Sequence, residues 1–411
     1  MKYNTLEKLY YKNRMQFEEE YSARKNNPNS VSLGFHINDW EAFYCMPPEL
    51  VSTLLRIYKK YVELGSLCAK LPPMACAFYE RKCLVDEIVI TNDIEGIYST
   101  RKEVIEVLNQ DAGVQKKQRF EGLIHKYALL LDESPLSYHV AIETPQDIRN
   151  IYNDIVLDEI APKDRPDGVI FRKDAAEVIS GTQQVKHIGI HPEEKIIEYV
   201  EKVLQLFKQD EIPKLLQIAI LHYMIGYIHP FYDGNGRLSR FLSSYLLKQE
   251  FGTLVALRLS YTIKNLKPRY YKAFDVCNEP KNRGELTPFI VYFVDVIEQS
   301  IDSLIEKLKN GFDVITRLSD LLHQKYDHLN TKERKKTFDV LWFLVQNELF
   351  SIEHLDRNRL SYLLQVAPLT AHNYVSELIS KGVPIEIQKD GRKDTYTLNI
   401  DALYDYLLDN Q

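Results

Sequence analysis

Cysteine is scarce in this chain. Its five thiols, Cys45, Cys68, Cys76, Cys83 and Cys277, are odd in number and contain no CxxC pair. That argues against a disulfide framework and a zinc site, and reduced thiols are expected. Long apolar runs are missing too. No stretch reaches the roughly 20 residues a bilayer span requires, and the polar, aromatic start MKYNTLEKLYYKNRMQFEEEYS lacks the apolar core of a signal peptide. The expectation is a cytoplasmic protein with no membrane partner. A basic excess is also absent: 52 Lys and Arg stand against 58 Asp and Glu, a net charge of -6. A chain given over to nucleic acid would be basic. A polyanionic ligand must therefore meet a local cluster of donors.

What is present is enough apolar material, 45% of 411 residues, for a sizeable core and two or three domains. Most of it repeats with helical period. In 48–66, Leu50, Leu54, Leu55, Ile57 and Tyr58 fall at helical spacing. Further helices are expected near 75–90, 101–109, 115–131, 145–160, 193–208 and 213–228, the last apolar almost all round and so buried. Others are expected at 238–249, 285–309 and 311–329. Between them, 161–192 breaks the pattern, and the alternation near Val178–Ile179 and 184–188 predicts a short hairpin or flap. Beyond 330 come helices at 331–350, 357–366 and 370–381. Two short strands follow, around the charged turn Lys389–Asp394. That is the winged-helix order. The expected fold is all-α, a mainly helical core with a short β-hairpin flap, plus a small C-terminal winged-helix domain. The expected divisions are 1–110, 111–310, a connecting helix 311–330, and 331–411.

The stretch with the most chemistry is Ile228-His229-Pro230-Phe231-Tyr232-Asp233-Gly234-Asn235-Gly236-Arg237-Leu238-Ser239-Arg240. A helix ends before Pro230, since the residue before proline disfavours helix. A second begins after Gly234, and two glycines around Asn235 allow backbone N–H groups to point outward at its start, an arrangement suited to anions. Arg237 and Arg240, three apart, share roughly one helical face, and their forks match phosphate oxygens. Asp233 is a hard oxygen ligand suited to Mg²⁺ carried by a nucleotide. His229 is a side chain whose unperturbed pKa, about 6.5, suits a general base near neutral pH. Phe231 is expected to plug into the core. Each piece alone reads as a turn, a cap or a solvated face; together, within twelve residues, they favour a phosphate-handling site. His222, on the buried helix, reads as core.

This stretch resembles the signature of Fic domains, His-x-Phe-x-(Asp/Glu)-Gly-Asn-Gly-Arg-x-x-Arg, with every defined position matched. The resemblance covers roughly residues 40–300 and implies transfer of AMP from ATP to a Ser, Thr or Tyr hydroxyl of a protein. It implies His229 as base and Mg²⁺ at Asp233. Gly234, Asn235 and Gly236 would cradle phosphate, Arg237 would hold the β-phosphate and Arg240 the γ-phosphate. Doc-like relatives commonly carry Lys where Gly236 stands. Upstream, Thr91-Asn92-Asp93-Ile94-Glu95-Gly96 resembles the family's inhibitory motif, (Ser/Thr)-x-x-x-Glu-(Gly/Asn), in the class with an N-terminal inhibitory helix. Thr91, Glu95 and Gly96 are its defined positions. Glu95 would pair with Arg240 in place of the γ-phosphate. Tyr270 and Asn278, eight residues apart, match an adenosine-side pair of this class. Val178, Ile179, Ser180 and Gly181 fall where the family's target-aligning flap begins.

The reading is an autoinhibited protein adenylyltransferase that uses ATP and Mg²⁺ and acts on an unknown target protein or itself. Alternatives are a de-AMPylase using Glu95, or a nucleotide-sensing DNA-binding regulator; a homodimer is left open. Residues 331–411 carry ten Lys and Arg against twelve Asp and Glu. DNA binding through Arg392 and Lys393 is therefore less supported than protein contact. In the helix at 370–381, Thr370, His372, Asn373, Ser376 and Lys381 are the candidate contact residues.

Overall fold

The computed structural model describes residues 3–110, 118–132, 140–179, 185–391 and 393–408. It divides into two compact units, residues 1–61 with 84–302, and residues 62–83 with 303–411. The cuts fall inside α3 (Pro48–Cys68), α4 (Pro73–Ile94) and the long helix α13 (Thr287–Tyr326).

In the first unit, α1 (Leu6–Lys12) and α2 (Arg14–Lys25) lead into an antiparallel hairpin, β1 (Ser30–Ile37) and β2 (Trp40–Cys45). The sequence reading placed no strand there, although Leu33, Phe35 and Ile37 alternate inward. Asn38 makes the turn in the left-handed region, at φ 52°.

Helices α5 (Arg101–Leu108), α6 (Glu121–Ala128) and α7 (Pro145–Ile155) follow. Thr144 opens α7 as a capping box with Asp147, and Pro145 stands in the first turn where no N–H is needed. The expected helix 145–160 stops at Ile155. The hairpin β3 (Glu177–Ile179) and β4 (Val185–Ile188) stands where a flap was expected, pairing Glu177 with Ile188 and Val178 with His187. Ser180 and Gly181, two of the flap residues, lie outside the described residues.

Helices α8 (Glu193–Gln205), α9 (Lys214–Ile228) and α10 (Asn235–Ala256) carry the centre of the unit. Every residue from Leu215 to Ile225 is buried, as an apolar surface on all sides requires. Short helices α11 (Leu259–Asn265) and α12 (Lys267–Asn278) complete it.

The two helices expected at 285–309 and 311–329 are a single one, α13. Gly311 does not interrupt it. A methyl group there would stand 2.6 Å from the Phe350 ring, so the glycine serves packing. The second unit continues with α14 (Thr331–Arg334), a π turn, and α15 (Val340–Phe350). Then come β5 (Leu355–Asp356), α16 (Arg357–Leu364), α17 (Pro368–Ser380), β6 (Ile385–Asp390), β7 (Lys393–Leu398) and α18 (Ile400–Leu408). The three strands are antiparallel in the order β5-β7-β6. No helix among the described residues is long and apolar enough to cross a membrane.

Candidate active site

The loop between α9 and α10 is built from the inside out. Phe231 is fully buried and stacks on Tyr152 of α7 at 3.6 Å between centroids. The Asn235 side chain clamps the same residue: its Oδ1 accepts Phe231 N–H at 3.0 Å and its Nδ2 donates to Phe231 O at 2.7 Å. The side chain of Asn235 thus shapes the loop. Gly234, at φ 81°, provides the left-handed entry to α10. Asn235→Ala removes two buried partners and is expected to cost about 2–4 kcal/mol. An earlier urea transition and faster amide exchange at Phe231 would register it.

His229 caps α9 in the left-handed region, φ 51° and ψ 60°, with its N–H donating to Ile225 O. It forms part of the wall of a cavity of about 670 Å³, together with Glu95, Gly236, Ser239, Tyr270, Tyr271, Asn278 and the flap residues Val178 and His187. It keeps partial exposure there. Desolvation, and then the Arg172 guanidinium, push its imidazole down to about 4. The ring is therefore neutral at pH 7.

Arg240 is completely buried in α10. Its Nη1 pairs with Glu95 Oε1 at 2.8 Å, its Nε donates to Thr91 Oγ1 at 2.7 Å, and its Nη2 to Thr91 O at 2.9 Å. Glu95 follows directly on α4, and Gly96 turns the chain away at φ 73°. The Glu95 carboxylate lies on Gly236 so closely that a methyl group at 236 would stand 2.0 Å from Oε1. Thr91, Glu95, Gly236 and Arg240, separated by up to 149 residues, thus form one cluster, while nothing stands within 4 Å of a methyl group at Gly96.

Arg237 faces elsewhere. It is buried and pairs with Glu159 at 2.6 Å, in a second cavity of about 580 Å³ that Asp233 and Asp158 also line. Burial raises the Glu159 carboxyl, with Arg237 pulling the other way. So the two arginines, expected on one face, meet different carboxylates, Glu159 for Arg237 and Glu95 for Arg240. Glu159 was not singled out in the sequence, and no local pattern marks it.

Tyr270 and Asn278 sit at the two ends of α12 and line the cavity of His229. His222 is core, as expected, but it also bridges Tyr270 Oη and Ser243 Oγ, at 2.9 Å each. Burial, then Arg240, push its imidazole down to about 3. Asn278 Oδ1 accepts from Tyr223 Oη at 2.7 Å. Val178 of the flap reaches the cavity wall, and Ile179 pairs with Val185 across the hairpin. No group of three or more His, Cys, Asp or Glu side chains is placed to hold a metal ion among the described residues.

Residues 142–247, which contain the whole of this loop and the first part of α10, match the Fic/DOC family. Over 84 residues the chain is 36% identical to a protein named "Protein adenylyltransferase Fic" from Aedes aegypti, and 34% identical to one of the same name from Drosophila melanogaster. Each match spans 20% of this chain and 15% of the relative. A crystal structure of a Fic family protein from Desulfovibrio desulfuricans G20 superposes with a TM-score of 0.52, over 87% of this chain and 97% of that one, at 17% identity. That likeness is one of fold. The Fic segment contains His229, Asp233 and both arginines, whereas Glu95, Tyr270 and Asn278 reach the site from outside it.

Proposed function

We propose that the protein is an autoinhibited adenylyltransferase that moves AMP from ATP to a protein hydroxyl. The observation that carries this reading is the Glu95–Arg240 pair, whose carboxylate lies on Gly236 and lines the same cavity as His229. A buried arginine at the start of a helix is suited to a phosphate. Here a carboxylate takes that place. Tyr270 and Asn278 would border the nucleoside, His229 would accept the proton of the attacking hydroxyl, and pyrophosphate would leave. Self-modification is one form of the reaction. The direct test compares label transfer from α-labelled ATP by wild type, Glu95→Gly, and Glu95→Gly with His229→Ala, alone and with cell lysate. Transfer by none of them, with ATP binding intact, would sink the reading.

Magnesium fits the residues present. Asp233 is exposed, its Oδ1 takes Gly234 N–H at 2.6 Å, and its Oδ2 has no partner among the described residues. One carboxylate beside substrate phosphates is the usual Mg²⁺ arrangement. When bound, the ion would offset phosphate charge at Asp233.

The lowered imidazole sets a pH expectation. A base whose pKa lies near 4 stays neutral as pH falls from 7 to 5 and is lost only through about 4. In a released variant, kcat/KM for ATP should hold over that range. An acid limb near the ordinary value of about 6.5 would show that burial and Arg172 do not act on the base.

The reading of residues 331–411 as a winged helix is supported by the element order α15-β5-α16-α17-β6-β7 and by the pairing of β5 with β7. On α17, His372 Nδ1 bonds Tyr396 Oη at 3.1 Å and Lys381 pairs with Glu377 at 2.8 Å. Arg392 lies outside the described residues, and the acidic balance of 331–411 favours a protein partner over DNA.

A further inference from the structure

Arg172 stands outside the 229–240 loop, yet its side chain is fully buried. Its guanidinium donates to four backbone carbonyls: Nε to His229 O at 2.8 Å, Nη2 to Ile190 O at 2.8 Å and to Ile228 O at 3.3 Å, and Nη1 to Asp174 O. No carboxylate pairs with it among the described residues. A buried cation satisfied only by carbonyls is costly to keep, which calls for a reason.

His229 supplies one. Its left-handed backbone costs about 1–3 kcal/mol for a residue other than glycine, so its surroundings must hold it there. Arg172 binds the carbonyls of the two peptides that flank His229, those of Ile228 and of His229 itself. The same guanidinium binds Ile190, just past the flap, whose N–H in turn donates to Ile228 O at 3.0 Å. The approach is so close at Gly189 that a methyl group would stand 2.4 Å from Arg172 Nη2 and 2.9 Å from His229 Cβ. Arg172 is itself held in place. Glu193, at the start of α8, accepts the N–H groups of Val169, Ile170 and Phe171 at 2.7–2.9 Å.

We propose that Arg172 is the positioning residue of this site: one guanidinium holds His229 in its strained conformation and ties it to the base of the β3–β4 hairpin. The proposal rests on the reading of His229 as the base. Three titratable groups face the imidazole, Arg172, His187 of β4 and Glu95 after α4, beside a hydrogen bond to the Gly226 backbone that favours its protonation. Arg172 and His187 disfavour its protonation, and Glu95 favours it.

The test uses Arg172→Met and Arg172→Lys in the full chain. In the Glu95→Gly background, kcat for transfer from ATP should fall at least about tenfold for Arg172→Met, since small misplacements of a reacting group cost up to about 100-fold. Lysine should recover part of it. KM for ATP should stay within about twofold, because Tyr270, Asn278 and Arg240 are untouched. With Glu95 present, the His229 imidazole resonance, identified by its loss in His229→Ala, should titrate at higher pH in Arg172→Met. If the methionine variant does not fold, Arg172→Lys carries the kinetic arm. Parallel loss of kcat and ATP affinity, or an unmoved imidazole titration, overturns the proposal. Should Glu95→Gly transfer nothing while the titration moves, AMP transfer fails as the activity and the positioning role stands.

Discussion

Glu95→Gly is expected to transfer AMP from α-labelled ATP about 30- to 150-fold faster than the wild type. The estimate follows from one charge-assisted contact, worth about 2–3 kcal/mol, that a γ-phosphate must displace before Arg240 can accept it. Glycine also clears the space above Gly236, where the carboxylate now lies within methyl distance of the backbone. Arg240 stays fixed by Thr91 through Nε and Nη2, so the freed Nη1 should remain aimed at the vacated place. Wild-type and variant rates that coincide, with ATP bound equally well, would mean that the pair has no inhibitory role.

In that released background, His229→Ala is expected to lower transfer by about 100- to 10,000-fold, the usual range for losing a general base. ATP affinity should change little, because the imidazole sits on the cavity wall and the proposed phosphate donors belong to α10. Single-turnover transfer and equilibrium binding of ATP separate the two. A drop in binding that accounts for the whole loss of rate would place His229 in nucleotide binding and leave the base unassigned.

Much of the candidate site was legible because its proposed parts are close in sequence. His229, Asp233, the two glycines and the two arginines lie within twelve residues, and each residue type has one main physical use there. The central helices were legible as well: α9 is apolar on every side, and α7 opens with Thr and Pro. The N-terminal hairpin was missed even though its alternation is visible, because the neighbouring sequence is strongly helical in period. The break expected near residue 310 was wrong because Gly311 packs against Phe350, and a glycine can serve contact as readily as it ends a helix.

The remaining parts depended on the fold. Glu159 and Arg172 follow no local pattern; each matters because of what stands opposite it after folding. The same holds for the division of Arg237 and Arg240 between two carboxylates, Glu159 and Glu95, since a helical face says which way two side chains point but not what meets them. Sequence by itself determined the helical class, the loop and the set of chemical groups available, because period, caps and turns are local. Tertiary structure alone decided which carboxylate meets which arginine, and which guanidinium holds the histidine. Burial and long-range contact set those energies, and neither is a property of neighbouring residues.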